Sequence, residues 1–201
     1  MVESSPTAAA SLSPERQQEL DDAEQRARTF LGAVKVAAFN GWSAAFFAVL
    51  SILFGLFSLT SFLVGVGLAI VARNELVGRR RVRELDSSGL VLLWRNQLGF
   101  MALIIAYCVW SLSGAVGAPD SEMTALLERF DLSPLTELLG QSVGELVRTL
   151  SLFVYGTVIF ATAISQGLNA RYYFVRVARM RDYLRDEPQW VVARQRSNAN
   201  R

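Results

Sequence analysis

The sequence predicts an all-α polytopic membrane protein. Four transmembrane helices are expected, the first two as a tight N-terminal hairpin, with amphipathic helices outside the bilayer. Three charge-free runs carry this expectation. Val36 to Ala72 holds 37 residues with no charged side chain, flanked by Lys35 and Arg73. Asn96 to Pro119 holds 24 and Thr149 to Ala170 holds 22. About 20 helical residues cross ~30 Å of hydrocarbon, so runs of this length read as spans. In a soluble domain, the 52 % of residues that are hydrophobic would be spaced periodically, not gathered into blocks.

Residues 1–12 are Ser-, Ala- and Pro-rich and read as a disordered tail. Ser13-Pro14-Glu15 follows as a helix start, with serine as the cap and proline at the first helical position. The helix over 13–35 is polar almost all round and turns apolar from Phe30. No cleavable signal peptide is visible, so the first span is expected to act as its own insertion signal.

The 37-residue run would be ~55 Å long as one helix. A single straight crossing would need a tilt of about 57°, outside the roughly 0–40° range of membrane helices. Two crossings need slightly more length than the run supplies. Arg73 and Glu75 can extend the second by snorkelling towards the headgroups. A break near Phe57-Ser58-Leu59-Thr60-Ser61 therefore predicts a hairpin over 36–78. A shallow wedge that enters and leaves by one leaflet is the rival geometry.

Residues 79–95 read as a basic loop, 96–117 as the third span and 148–170 as the fourth. The sequence Ser142-Val143-Gly144-Glu145 fits a capping box ahead of the fourth. Between the last two spans, 118–147 is Leu-rich and acidic and predicts two short amphipathic helices outside the bilayer. Beyond the fourth span, 171–201 reads as a basic amphipathic helix and tail. Tyr173, Val177, Met180 and Leu184 form a narrow apolar stripe there, Tyr172 and Tyr173 stand where an aromatic belt belongs, and Pro188 ends the helix.

Charge sets the orientation. Residues 73–95 carry six Arg and three acids, and 171–201 carry eight Arg and three acids; 118–148 carry two Arg and six acids. Lys/Arg-rich loops stay cytoplasmic. Four crossings in a bacterial inner membrane with both termini cytoplasmic fit every loop. Three crossings with an external N-terminus also satisfy the two Arg-rich loops.

The chemistry-bearing residues are few. Histidine is absent, and Cys108 is the only cysteine. No HExxH, GxSxG or P-loop occurs, and Asp86, Asp120, Glu122, Asp182 and Asp186 have no His, Cys or phosphate loop beside them. The expectation is a non-enzyme without metal or cofactor. Arg79, Arg80, Arg81 and Arg83, with Arg176 and Arg179, are the candidate anionic-lipid or partner-protein contacts. Simple topology setting, with Glu75–Arg79 and Arg80–Glu84 pairs, is the alternative. Nucleic acid is not expected, because no aromatic platform interleaves with these arginines. Gly55, Gly65, Gly67, Gly114 and Gly117 are candidate helix-packing positions, inside the hairpin or on an oligomer face. Asn40, Asn96, Gln97, Gln166 and Asn169 lie near run ends, as amides either solvated or bonded across helices. No ionisable residue is expected at mid-bilayer.

The stretch GVGLAIVARNELVGRRRVRELD, followed by NQLGF, resembles small uncharacterised bacterial multi-span membrane proteins of the domain-of-unknown-function kind. In these a short apolar hairpin ends in a basic turn and a further span follows. The resemblance covers roughly 42–110 and implies no active residues. The expected function is a structural or accessory subunit of a larger membrane assembly, or a bilayer-shaping protein. A protomer of an oligomeric channel or carrier is the alternative. The expected partners are membrane lipids and other membrane subunits or further copies of the chain.

Overall fold

A computed structural model describes residues 13–56, 58–117 and 143–199, with side chains undescribed at 114–117 and 143. The two short amphipathic helices expected between the third and fourth spans, and the serine of the capping box, lie outside these residues. Among the described residues the chain forms five helices: α1 (Pro14–Phe54), α2 (Leu59–Arg83), α3 (Ser87–Gly117), α4 (Val143–Asp186) and α5 (Gln189–Ala199). Four of them, α1 to α4, are long and apolar enough to cross a membrane.

The helix starts follow side-chain chemistry. Ser13 caps α1 by accepting the Arg16 N–H, with Pro14 at the first position. Ser58 caps α2 by accepting the Ser61 N–H at 3.4 Å. The polar N-terminal segment and the first half of the 36–72 apolar run form one continuous helix of 41 residues, ~62 Å long. Its buried positions are mostly small: Ala23, Ala27, Ala33, Ala37, Gly41, Ala44 and Ala48, with Phe30 among them. The expectation of an all-round polar start is corrected here. Alanine presents little apolar surface, yet a row of it lets other helices approach closely.

α1 and α2 run antiparallel. A Cβ on Gly65 would stand 2.9 Å from the Ile52 backbone nitrogen, and one on Gly55 2.7 Å from the Phe62 Cα. Further along, Gly41 faces Glu75 and Leu76. α3 packs on α2 and on α4; α1 and α4 share much less contact.

Most of the expected basic loop over 79–95 is helical, because arginine and leucine are good helix formers. Only Glu84, Leu85 and Asp86 separate α2 from α3. The Asp86 N–H bonds to the Arg81 carbonyl and the Leu85 N–H to the Val82 carbonyl, a Schellman ending. Leu85 occupies its left-handed position (φ 56°), where glycine is usual. The leucine is buried in the core, and Arg196 of α5 donates to the Leu85 and Glu84 carbonyls at 3.2 Å each. Asp86 then caps α3 through the Ser88 N–H at 2.8 Å. Partial burial works to raise its carboxyl, but the Ser88 hydroxyl and N–H, with Arg81 and Arg196 nearby, hold it below the usual range.

Pro188 ends α4 as expected, but the chain continues into α5 rather than an unstructured tail. One core joins the start of α1, the α2–α3 turn, the end of α4 and α5. It includes Ala27, Phe30, Val82, Leu85, Leu90, Tyr173, Met180 and Val191. Arg26 pairs with Glu187 across it. The two described chain ends and the basic turn therefore share one end of the bundle, called here the basic end. The opposite parts of the long helices expose large apolar side chains, from Phe39 to Phe54 on α1 and from Leu150 to Leu168 on α4. On α1 that band is ~22 Å tall, most of the thickness of a hydrocarbon core, and Leu56 and Leu59 continue it into the turn and the start of α2.

Candidate functional site

Four helices contribute to one polar layer at the border between the core and the apolar band. Glu75, read from the sequence as snorkelling outward, is fully buried and points into the bundle. Asn96 Nδ2 donates to Glu75 Oε1 at 2.9 Å and Gln97 Nε2 donates to the same oxygen at 2.7 Å. Asn96 Nδ2 also reaches the Val71 carbonyl at 3.0 Å, and Asn74 Nδ2 donates to Asn96 Oδ1 at 3.2 Å. From α1, Asn40 Nδ2 donates to the Tyr173 hydroxyl at 3.4 Å. That hydroxyl lies within reach of the Glu75 carboxyl, but Glu75 Oε2 is enclosed and has no hydrogen bond of full geometry.

The exterior fixes the depth of this layer. Arg73, Arg95 and Arg171 are exposed, each within two residues of a layer member on its own helix. Cations at these positions suit headgroup depth if the helices span a membrane, and they mark the border between the apolar band and the basic end. Outward from it a cavity of about 360 Å³ opens between α1, α2, α3 and α4. Its polar end is formed by Asn40, Glu75, Gln97, Gln166 and Asn169, and its other end by Phe47, Leu68, Phe100 and Ile104. Gln166 Oε1 is buried here without a partner.

Two sequence expectations change at this layer. Glu75 does not pair with Arg79, because its carboxyl turns inward to the amides of α3. Tyr173 does not join an outer aromatic belt, because its ring is fully buried while Tyr172 alone faces the rim. Of the five run-end amides, Asn96 and Gln97 bond the Glu75 carboxyl, while Asn40, Gln166 and Asn169 line the same cavity as Gln97 and Glu75. The sequence reads Glu75 as facing outward because it follows Arg73 in a stretch that reads as a charged flank. The signal that could have placed it inward is its i, i+4, i+7 spacing with Val71, Leu68 and then Val82, all buried.

The basic candidates are not one site. Arg80 pairs with Glu84 at 2.8 Å, the expected i, i+4 pair. Arg81 reaches Ser88 at 3.5 Å, and Arg83 is exposed on the same turn. Arg79 is half-buried with its Nε enclosed and unpaired. Arg176 lies 3.4 Å from the centre of the Tyr172 ring and donates to the Tyr172 carbonyl. Arg179 faces a separate acidic groove with Glu19, Asp22, Asp182 and Glu187.

Of the glycine candidates, Gly55 and Gly65 sit where α1 and α2 touch, and Gly67 faces Leu103 of α3 at 2.7 Å from its would-be Cβ. Gly114 and Gly117 fall at the end of α3, outside the described side chains. Gly78 and Gly89, which no sequence pattern marks, make a further close crossing: a Cβ on Gly89 would lie 2.7 Å from the Gly78 carbonyl oxygen. Cys108 is buried in α3 as a free thiol. Among the described residues, no group of three or more His, Cys, Asp or Glu could hold a metal ion.

No protein-family model matches the chain, and neither a curated protein nor a solved structure matches it significantly.

Proposed function

We propose that the chain is a non-enzymatic integral protein of the bacterial inner membrane, with both termini cytoplasmic, acting as a structural or accessory subunit of a larger assembly. The observation that carries this reading is the outer part of α4. Between Leu150 and Leu168 it exposes Phe153, Val154, Phe160 and Ile164, and it leans on its neighbours along one narrow strip, where Tyr155 meets Tyr107. Gly156 and Gly167 have no described atom within 4 Å of a would-be Cβ. With the exposed Ala163 they line a small-residue face of the kind that admits a second membrane helix. The height of the apolar band on α1 favours full crossing by α1 and α2 over a one-leaflet wedge, and so favours assembly over bilayer shaping. Exposed Arg80, Arg81 and Arg83 at the basic end would add contacts to anionic lipid or to a partner.

The test compares wild type with the Gly156→Leu/Gly167→Leu double variant, each purified in mild detergent. A stoichiometric foreign subunit should accompany the wild type and be lost from the variant, while the thermal midpoint stays within a few degrees. A second reading, a channel or carrier protomer, is favoured by the buried Glu75, since ionisable residues inside membrane bundles often mark transport paths. A pure homo-oligomer with reproducible ion currents after reconstitution would decide for that reading.

A further inference from the structure

We propose that the cavity beside Glu75 is a binding site for a primary ammonium group carried on a short apolar body. Three observations converge on this chemistry. Glu75 is fully buried and lines the cavity, and its Oε2 has no hydrogen bond of full geometry, only the Tyr173 hydroxyl standing beside it. Gln166 Oε1, across the cavity on α4, is also enclosed and unpaired. Among the described residues no lysine or arginine lines the space. The polar end therefore presents acceptors with capacity to spare, one of them a carboxyl with no cation beside it in the cavity. Leaving such groups unmatched is costly away from water. A primary ammonium supplies three donors and the missing charge.

The rest of the cavity selects the body of the ligand. Its volume of about 360 Å³ falls within the roughly 300–1,000 Å³ of small-molecule pockets. A bare metal ion would leave most of it empty. Phe47, Leu68, Phe100 and Ile104, with Ser51 the one hydroxyl among them, form a mostly apolar end opposite the carboxyl, suited to a hydrocarbon chain or ring. Access is set by the helix arrangement. α1 and α4 meet through Phe30–Tyr183 and Asn40–Tyr173 at the basic end, which leaves the side between them, facing the apolar band, as the least packed wall of the bundle. The ammonium could belong to a soluble amine or to the headgroup of an ethanolamine lipid.

The full-length protein in choline-lipid nanodiscs is titrated with hexylamine by calorimetry, with hexanol as the neutral chain of equal length. Saturable one-to-one binding of hexylamine, at least tenfold tighter than hexanol, is expected. Glu75→Gln keeps the acceptor for Asn96 and Gln97 but removes the charge, and should weaken hexylamine at least tenfold while leaving hexanol unchanged. Ser43→Leu, which adds bulk to the cavity lining while keeping the carboxyl, should weaken both. Nanodiscs containing ethanolamine lipid assign the natural source: competition points to the lipid headgroup and its absence to a soluble amine. The proposal is overturned by any of three results in variants with wild-type helical content: equal binding of hexanol, insensitivity to Glu75→Gln, or no saturable binding.

Discussion

Asn96 is the residue on which the polar layer turns. Its amide serves Glu75, the Val71 carbonyl and Asn74 at once, joining α2 to α3. Replacing it with leucine keeps the volume but strips two buried hydrogen bonds and one part-buried one, each worth about 1 kcal/mol net and more when a buried partner is left unpaired. Asn96→Leu is therefore expected to lower stability by about 1–3 kcal/mol, read as a clear fall in the unfolding midpoint in detergent. Gln166→Leu, which removes an amide oxygen that has no partner, should be neutral or mildly stabilising. Equal effects of the two would mean that the layer does not hold the helices together. At this scale the sequence was partly legible. The five amides stood out because polar groups are scarce in the runs. The inward turn of the Glu75 carboxyl did not, since whether Glu75 faces headgroups or its own bundle depends on the rotation of α2, which neighbours rather than composition decide.

Between elements, glycine sets the distances. A side chain at Gly65 would meet Ile52 Cγ1 at 2.7 Å and the Ile52 backbone nitrogen at 2.9 Å. Backbone cannot swing aside as a side-chain tip can, so Gly65→Val must push α1 off α2. Overpacking of this kind costs about 1–3 kcal/mol, and the expected readout is a lower midpoint together with faster proteolysis near the 55–58 turn. Gly99→Val, with nothing described within 4 Å, is the control and should change neither. Element boundaries were legible where a cap or proline marks them: Ser13-Pro14, Ser58 and Pro188 all stand at helix ends. The α2–α3 connection was not, because its left-handed position holds Leu85. A turn that depends on a buried leucine and on Arg196 from α5 has no local signature, and neither did α5, whose helix is fixed by Val191 and Val192 docking in the core.

For the whole molecule, the number of crossings depends on where the start of α1 lies. Charge alone allowed three crossings with an external N-terminus. In the fold, Ala23 and Ala27 share one core with Leu85, Tyr183 and Val191, and Arg26 is tied to Glu187. Moving the N-terminal segment to the other face of a membrane would strip that core of one wall. The expected arrangement therefore puts residues 14–30, the 84–86 turn and α5 on one side and the 55–58 turn on the other. Single cysteines at Gln17, Arg83, Thr60 and Ser197, in a Cys108→Ser background, would read it, since all four positions are exposed. An impermeant thiol reagent on intact spheroplasts should label only position 60, and the other three should react after permeabilisation. Labelling at 17 but not at 83 or 197 would break the shared core and restore the three-crossing topology. Protection of position 60 under both conditions would place the turn between α1 and α2 inside the bilayer, as a wedge.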